Sequence, residues 1–334
     1  MILIDSLYIN NSGGLRLLEY LVRMLIARGM EFHLVSDNRC KGCFDSLPSV
    51  EYMDATMKNK YELFCRDLSS YSAVLCFGNL PPTKKLSIPV YTYFHNINLL
   101  TLEEAHSLPI KIKSWLKREV FKYYKENTNY WLVQTSNTAN ELVKHLLENT
   151  ERVKLMPFYE LPEKIADMAK LPHKDDYVFV ALHVPGKGHE ELLEAWRILH
   201  SKGIDKTLHL TVQEDSPFCE KIKEAHREGV KVVNHGTIPF KDVFSLYKQS
   251  KAIIYPSHNE SLGLGVVEAI TAGCDVIGSD LPFIHSICKP TVVFNPYSPS
   301  SIAEAVIQYE KGNMEKSKLL IRNQIDDLIE LICN

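Results

Sequence analysis

Short apolar runs alternate with amphipathic stretches along most of the chain. Residues 1–5 form an apolar run. The polar segment Asn10-Asn11-Ser12-Gly13-Gly14 comes next, and Leu15, Leu18, Leu21, Val22, Leu25 and Ile26 then recur at helical spacing up to Gly29. Further strand-like runs lie at 31–36, 73–77, 90–94, 130–134 and 152–156, and Thr135-Ser136 supplies a polar cap for a helix reaching about 147. Residues 160–176 are charged and contain Pro162 and Pro172, a composition suited to an inter-domain linker. The alternation then restarts. Strands are predicted at 177–182, 208–212, 230–234, 252–255 and 275–279, helices at 190–201, 218–228, 240–249 and 264–272, and further helix from Pro299 onward.

Alternating strand and helix implies an α/β chain whose sheets are mostly parallel, with helices on both faces. The simplest assembly is two Rossmann-like domains facing across a cleft, spanning 1–165 and 170–334, with closing helices at the end of the second. The length of 334 residues exceeds what one hydrophobic core usually organises. Hydrophobic content of 45% and charged content of 24% are ordinary globular usage. There is no internal repeat or low-complexity tract.

The net charge of -3 argues against a nucleic-acid partner, for which a basic domain is expected. The eight cysteines are scattered and form no disulfide framework. Cys40-Lys41-Gly42-Cys43 has the spacing of half a zinc site, but no second pair completes it, so a loop with two free thiols is expected. No apolar run approaches the ~18 residues that span a bilayer, and residues 1–5 lack the basic and apolar regions of a signal peptide. Reduced thiols and these absences point to the cytoplasm, with the chain soluble or peripheral at the cytoplasmic membrane.

The densest chemistry lies in Tyr255-Pro-Ser-His-Asn-Glu260-Ser261-Leu262-Gly263-Leu264-Gly265-Val-Val-Glu268-Ala-Ile-Thr-Ala-Gly273. A buried strand ends near Pro256 and a helix begins near Leu264. Ligands of such sheets bind at the carboxyl ends of strands, and amides at a helix N-terminus suit a diphosphate. Gly263 and Gly265 permit close backbone approach. Glu260 and Glu268 are each able to accept two hydroxyl hydrogen bonds, as a vicinal diol requires. Spacing alone also suits Glu260 as a cap of the helix and Glu268 as a residue of its solvated face.

The segment resembles the carboxy-terminal signature of GT-B-fold retaining glycosyltransferases, above all glycosyltransferase family 4. Pro256-Ser257, Glu260, Glu268-Ala269 and Gly273 stand in the family's order. The likeness extends back through Val233-Asn-His-Gly236, Leu246-Tyr247 and the strand before Tyr255, and forward to Phe294-Asn295-Pro296. It covers roughly the last 160 residues; the amino-terminal half matches more loosely. The resemblance implies that Glu268 binds the nucleotide ribose and that Glu260 contacts the donor hexose, helped by backbone amides of Ser261, Leu262, Gly263, Leu264 and Gly265.

The family places an Arg and a Lys after the first strand of the carboxy-terminal domain, where they neutralise the donor diphosphate. Here His183-Val-Pro-Gly-Lys187-Gly188 follows that strand. Lys187 and Gly188 match the family's Lys-Gly, while His183 stands in the arginine's place and supplies less charge. Gly13 and Gly14 resemble the family's Gly-Gly loop, which faces the donor phosphates and the acceptor. His95, after the run at 90–94, occupies a place where the family often has a histidine near the donor sugar or acceptor; a histidine satisfied by loop backbone is the alternative. No Asp-x-Asp motif occurs near these residues, so no metal and no separate cofactor are expected.

Residues 111–125 carry six basic side chains and one acidic one, with Trp115, Phe121, Tyr123 and Tyr124 interleaved. This composition suits an anionic membrane surface, and equally a helix with its aromatics packed inward. The expected partners are a nucleotide sugar donor, a glycan or lipid-linked acceptor, and the inner membrane surface through 111–125. The expected reaction is hexose transfer from a UDP- or GDP-linked donor with retention, in surface polysaccharide assembly. A sugar-nucleotide epimerase on the same fold, or a non-catalytic nucleotide-sugar-binding subunit, are the competing readings.

Overall fold

The computed structural model describes residues 1–10, 12–100, 108–162 and 175–333, with side chains over 108–114 and at 12 left aside. Asn11 and most of the expected linker, including Pro172, lie outside the described residues. The chain divides into two compact units: Met1–Glu160 with Arg322–Asn334, and Leu161–Ile321.

The amino-terminal unit contains β1 (Ile2–Ser6), α1 (Ser12–Ala27), β2 (Phe32–Asp37), β3 (Val50–Met53), α2 (Met57–Cys65), β4 (Ala73–Cys76), β5 (Val90–Phe94), α3 (Leu108–Tyr124), β6 (Tyr130–Val133), α4 (Ser136–His145) and β7 (Val153–Leu155). Its seven strands are parallel in the order β3-β2-β1-β4-β5-β6-β7. The central strands β1, β4 and β5 are buried along their whole length, as their near-continuous apolar runs require of a sheet covered on both faces. Within this unit, β3 and α2 were not anticipated from sequence. β3 is a half-buried edge strand with no full apolar run, and α2 is announced mainly by Thr56, whose side chain accepts from the Asn59 amide as an N-cap.

The second unit contains β8 (Tyr177–Phe179), α5 (His189–Ser201), β9 (Leu208–Leu210), α6 (Phe218–Arg227), β10 (Val232–Asn234), α7 (Phe240–Gln249), β11 (Ala252–Tyr255), α8 (Leu264–Ala272), β12 (Asp275–Ser279), α9 (Pro282–Ile287), β13 (Cys288–Lys289), β14 (Val292–Phe294), α10 (Pro299–Glu310) and β15 (Lys318–Leu319). Six strands form a parallel sheet in the order β10-β9-β8-β11-β12-β14, and β13 and β15 make a small antiparallel ladder. Val178, Phe179, Ile253, Ile254, Val276 and Ile277 are fully enclosed in its centre.

The last helix, α11 (Ile325–Cys333), differs from expectation. The sequence order places it with the second domain, yet Ile325, Leu328, Ile329 and Ile332 join the core of the amino-terminal unit with Leu21, Leu25 and Phe158. The reason is hydrophobic: these four side chains repeat along one helix face, and burying them is worth ~1.5–3 kcal/mol each. The Asn323 side chain also donates to the Tyr159 carbonyl at 2.7 Å, tying the returning chain to this unit.

Cys40 is buried with its thiol directed at the Ile9 carbonyl, and Cys43 is exposed; both are free thiols. Among the described residues, no group of three His, Cys, Asp or Glu side chains could hold a metal ion.

Candidate active site

In a doubly wound sheet the crevice for a ligand opens where the strand order reverses, because loops leaving neighbouring strands there turn to opposite faces. In the second unit the reversal lies between β8 and β11. The loop after β8 carries His183, Lys187 and Gly188, and the loop after β11 carries Glu260 through Gly263. The sheet topology therefore brings together two motifs that are far apart in sequence.

The two loops are stitched by backbone. The His258 amide donates to the Gly186 carbonyl at 2.8 Å. Gly188 is left-handed (φ 70°), and a Cβ on it would stand 2.5 Å from the Pro256 carbonyl oxygen. Only glycine fits there, on both conformational and steric grounds. Gly188 is also the N-cap of α5.

Lys187 forms an ion pair with Glu260 through Oε1, with both side chains largely but not wholly enclosed. The Tyr255 hydroxyl donates to the same oxygen at 2.9 Å. Glu260 therefore does not cap α8: the N-cap of α8 is Gly263, left-handed at φ 62° and ψ 54°, with no side-chain cap bond. Gly263 has no side chain to cap the amino end of α8, where the positive end of the helix dipole lies. Glu268 is not on a solvated face either; it is 3% exposed. Ser261 and Leu262 are also buried, and Leu264 and Gly265 open the helix. A Cβ on Gly265 would press on the Tyr247 hydroxyl at 3.2 Å and on the Tyr255 ring at 3.4 Å.

His183 is committed elsewhere. Its Nε2 pairs with Glu190 Oε1 at 3.0 Å, its Nδ1 with the Ser216 hydroxyl at 2.9 Å, and its ring stacks on Phe218 at 4.7 Å. Both ring nitrogens are thus engaged, and the expected hydrogen bond from His183 to a diphosphate would require breaking this network. The cationic charge of the site rests on Lys187. Next to it, His189 is 1% exposed, and burial together with the neighbouring His183 pushes its imidazole down to about 4, so it is neutral near pH 7.

The amino-terminal unit repeats the logic. Its strand order reverses between β1 and β4; Gly13 and Gly14, expected in a loop, lie in the first turn of α1 just after β1, while the loops after β4 and β5 carry Asn79 and His95. A Cβ on Gly14 would lie 3.5 Å from His95 Cε1, so the Gly-Gly segment and His95 are neighbours. The His95 amide donates to Asn79 Oδ1 at 2.8 Å, and the ring stands edge-on to Phe77 and Tyr93. Burial pushes its imidazole down to about 4, and its buried Nδ1 has no partner among the described residues. The ring is thus neutral near pH 7.

Sequence reasoning did not assign roles to Tyr255 and Asn79. The available signals were a tyrosine ending the otherwise apolar β11 and an Asn just past β4, held at φ 69° where asparagine is among the residues that tolerate it. Within 111–125, side chains from Trp115 onward are described: Phe121 is buried, while Trp115, Leu116 and Tyr123 are exposed on α3, Tyr123 at 80%. Among the described residues, no helix is long and apolar enough to cross a membrane.

Comparison with known proteins bears on the family and the fold. Residues 162–327 match the family model described as Glycosyl transferases group 1. The serotype-specific mannosyltransferase WbdA of Escherichia coli is 29% identical over 149 residues, which are 43% of this chain and 18% of that protein. This chain thus spans well under two thirds of the curated relative. Among solved structures, a sucrose-phosphate synthase from Thermosynechococcus elongatus superposes with TM-score 0.70 at 14% identity, covering 93% of this chain and 89% of that one. WaaG, a glycosyltransferase involved in lipopolysaccharide biosynthesis, superposes with TM-score 0.68 at 16% identity, covering 93% and 91%. At these identities the structural likeness speaks to fold. The fold is GT-B, with two Rossmann-like units, and residues 162–327 of this chain match the group 1 glycosyltransferases.

Proposed function

We propose that this chain is a retaining glycosyltransferase, moving a hexose from a UDP- or GDP-linked sugar to a hydroxyl of a glycan or lipid-linked acceptor in surface polysaccharide assembly. The observation that carries this reading is the placement of Lys187, Glu260 and the amino end of α8 together at the β8/β11 reversal. The mannosyltransferase relative and the family match support sugar transfer, and the family resemblance supports retention.

In this reading Lys187 and the first α8 amides meet the diphosphate. As the anomeric C–O bond breaks, negative charge collects on the leaving phosphate, and fixed donors there stabilise the transition state more than the ground state. The acceptor oxygen attacks on the leaving-group face, and its proton passes to a phosphate oxygen of the departing nucleotide. Glu260 accepts hydrogen bonds from the hexose, and Glu268 holds the ribose. Lys187 and helix amides supply the counter-charge, so the proposal invokes no metal. In the amino-terminal unit, the pairing of Gly14 with a neutral His95 supports a polar subsite for an acceptor.

We further place the chain in the cytoplasm, peripheral at the membrane through α3, supported by the exposed Trp115, Leu116 and Tyr123 beside Lys117 and Lys122.

The test is a panel of UDP- and GDP-sugars, screened by thermal shift and then with radiolabelled donor and acceptor glycans. Stabilisation by one nucleotide sugar and transfer of its label is the expected result. Undiminished transfer by both Lys187→Ala and Glu268→Ala would sink the assignment. Conversion of the donor's own sugar without acceptor would replace it with an epimerase.

A further inference from the structure

The donor-side ion pair has an anchor that the reading above does not use. Tyr255 is the last residue of β11, 4% exposed, with its ring edge-on to Phe179 at 5.8 Å and near Phe283 at 6.3 Å. Its hydroxyl is the one polar atom of this side chain, and it points at Glu260 Oε1. Burial and the nearby Glu260 carboxylate hold the phenol well above its usual range. It therefore stays protonated and donates; it cannot exchange roles with the carboxylate.

Glu260 thus receives two donors on one oxygen. Lys187 and Tyr255 both reach Oε1, while Oε2 has no hydrogen-bond partner among the described residues. A carboxylate pinned through one oxygen has its other oxygen fixed in direction. Glu260 itself sits in a loop, where an unanchored side chain would sample several rotamers and lose that freedom on each binding event.

We propose that Tyr255 is a positioning residue for donor specificity: by fixing Glu260 Oε1 beside Lys187, it aims Oε2 at a hydroxyl of the donor sugar, so that the site prefers a sugar nucleotide to the free nucleoside diphosphate. The inference rests on the donor-site reading above. It assigns the discrimination between donor and spent nucleotide to one buried hydroxyl. Lys187 keeps further N–H donors for the diphosphate while one remains on Oε1. Phosphate binding therefore does not depend on Tyr255, whereas sugar recognition does.

The experiment is a double-mutant cycle read by calorimetric titration on wild type, Tyr255→Phe, Glu260→Gln and the double variant, using GDP, UDP, GDP-mannose and UDP-glucose. Tyr255→Phe keeps the ring and its packing, so a change in affinity reports the hydroxyl. The expected result is about a tenfold loss for the sugar nucleotide that binds, with the matching free diphosphate within twofold of wild type. In the Glu260→Gln background the same change should then cost less than twofold, because Tyr255 acts through Glu260. Equal losses for sugar nucleotide and free diphosphate, full additivity of the two changes, or unchanged affinity in Tyr255→Phe would overturn the proposal. A wild-type chain that binds none of the four ligands overturns the donor-site reading itself, and the positioning role with it; that outcome is distinct from each of the other three.

Discussion

Lys187 and Glu260, 73 residues apart in sequence, meet as an ion pair at the strand reversal of the second unit. Each is a common surface residue type, and their proximity makes them a site. If Lys187 supplies the charge for the leaving diphosphate, Lys187→Ala lowers kcat/KM by about 100-fold or more, in the range lost on removing one preorganised donor. His183→Ala should cost less than tenfold, because both His183 ring nitrogens are already engaged by Glu190 and Ser216. Steady-state kinetics of the two variants with one donor checks the ranking; a larger loss for His183→Ala reverses it.

Gly188 gives a stability test of the same loops. Alanine at φ 70° is strained, and its Cβ would overlap the Pro256 carbonyl. Gly188→Ala is expected to destabilise the second unit by ~2 kcal/mol or more and to push the Lys187 loop away from Glu260. Gly203, also left-handed at φ 72° but with open space around a Cβ, serves as the control: Gly203→Ala should cost only the backbone term, ~1 kcal/mol. Equal melting temperatures for the two variants would refute the steric part.

His95 carries a pH signature. Its imidazole is held at about 4 by burial, against an ordinary value near 6.5. Below pH 6.5 the unfolded chain takes up a proton that the folded one refuses, so stability falls as pH drops from about 6.5 to about 4, by ~3 kcal/mol at most from this group. His189, also held at about 4, adds a loss of the same sign in the second unit. His95→Gln should flatten the acid slope of the amino-terminal unit, as read by hydrogen exchange at pH 7 and 5. An unchanged slope would mean that another group governs it.

The closing helix belongs to the amino-terminal core. Leu328 is fully buried there, so Leu328→Ala is expected to cost ~2–5 kcal/mol. Exchange protection should fall in β1 and α1, the elements that share this core. Loss confined to the second unit would contradict the packing.

Membrane contact through α3 is testable with vesicles. Binding to phosphatidylglycerol-containing vesicles should exceed binding to phosphatidylcholine alone and weaken with salt, at ~1 kcal/mol per lysine near the surface. Trp115→Ala with Tyr123→Ala should reduce it further. Equal binding to both vesicle types would remove the membrane from the proposal.

Much of this architecture was legible in the chain because strands buried on both faces must be apolar throughout, and helices between them must be amphipathic. The runs that became β1, β5, β11 and β12 announce themselves for that reason, as does the Glu260–Glu268 loop and helix. The edge strand β3 and the small ladder of β13 and β15 do not, because a half-buried or two-residue strand needs no distinctive pattern. Residue type and spacing likewise left Glu260 also suited to capping a helix.

Local sequence thus determined the α/β alternation, the elements of the second unit up to β12 and the motif that matches the family, since these follow from periodicity and short-range chemistry. Tertiary structure decided the rest. Strand order set which loops lie side by side, and so paired Lys187 with Glu260. Packing decided that α11 returns to the first unit, that Glu268 is buried, that His183 is spent on Glu190 and Ser216, and that Tyr255 reaches Glu260. Such relations join residues distant in sequence, and only the closing of the sheet fixes their distance.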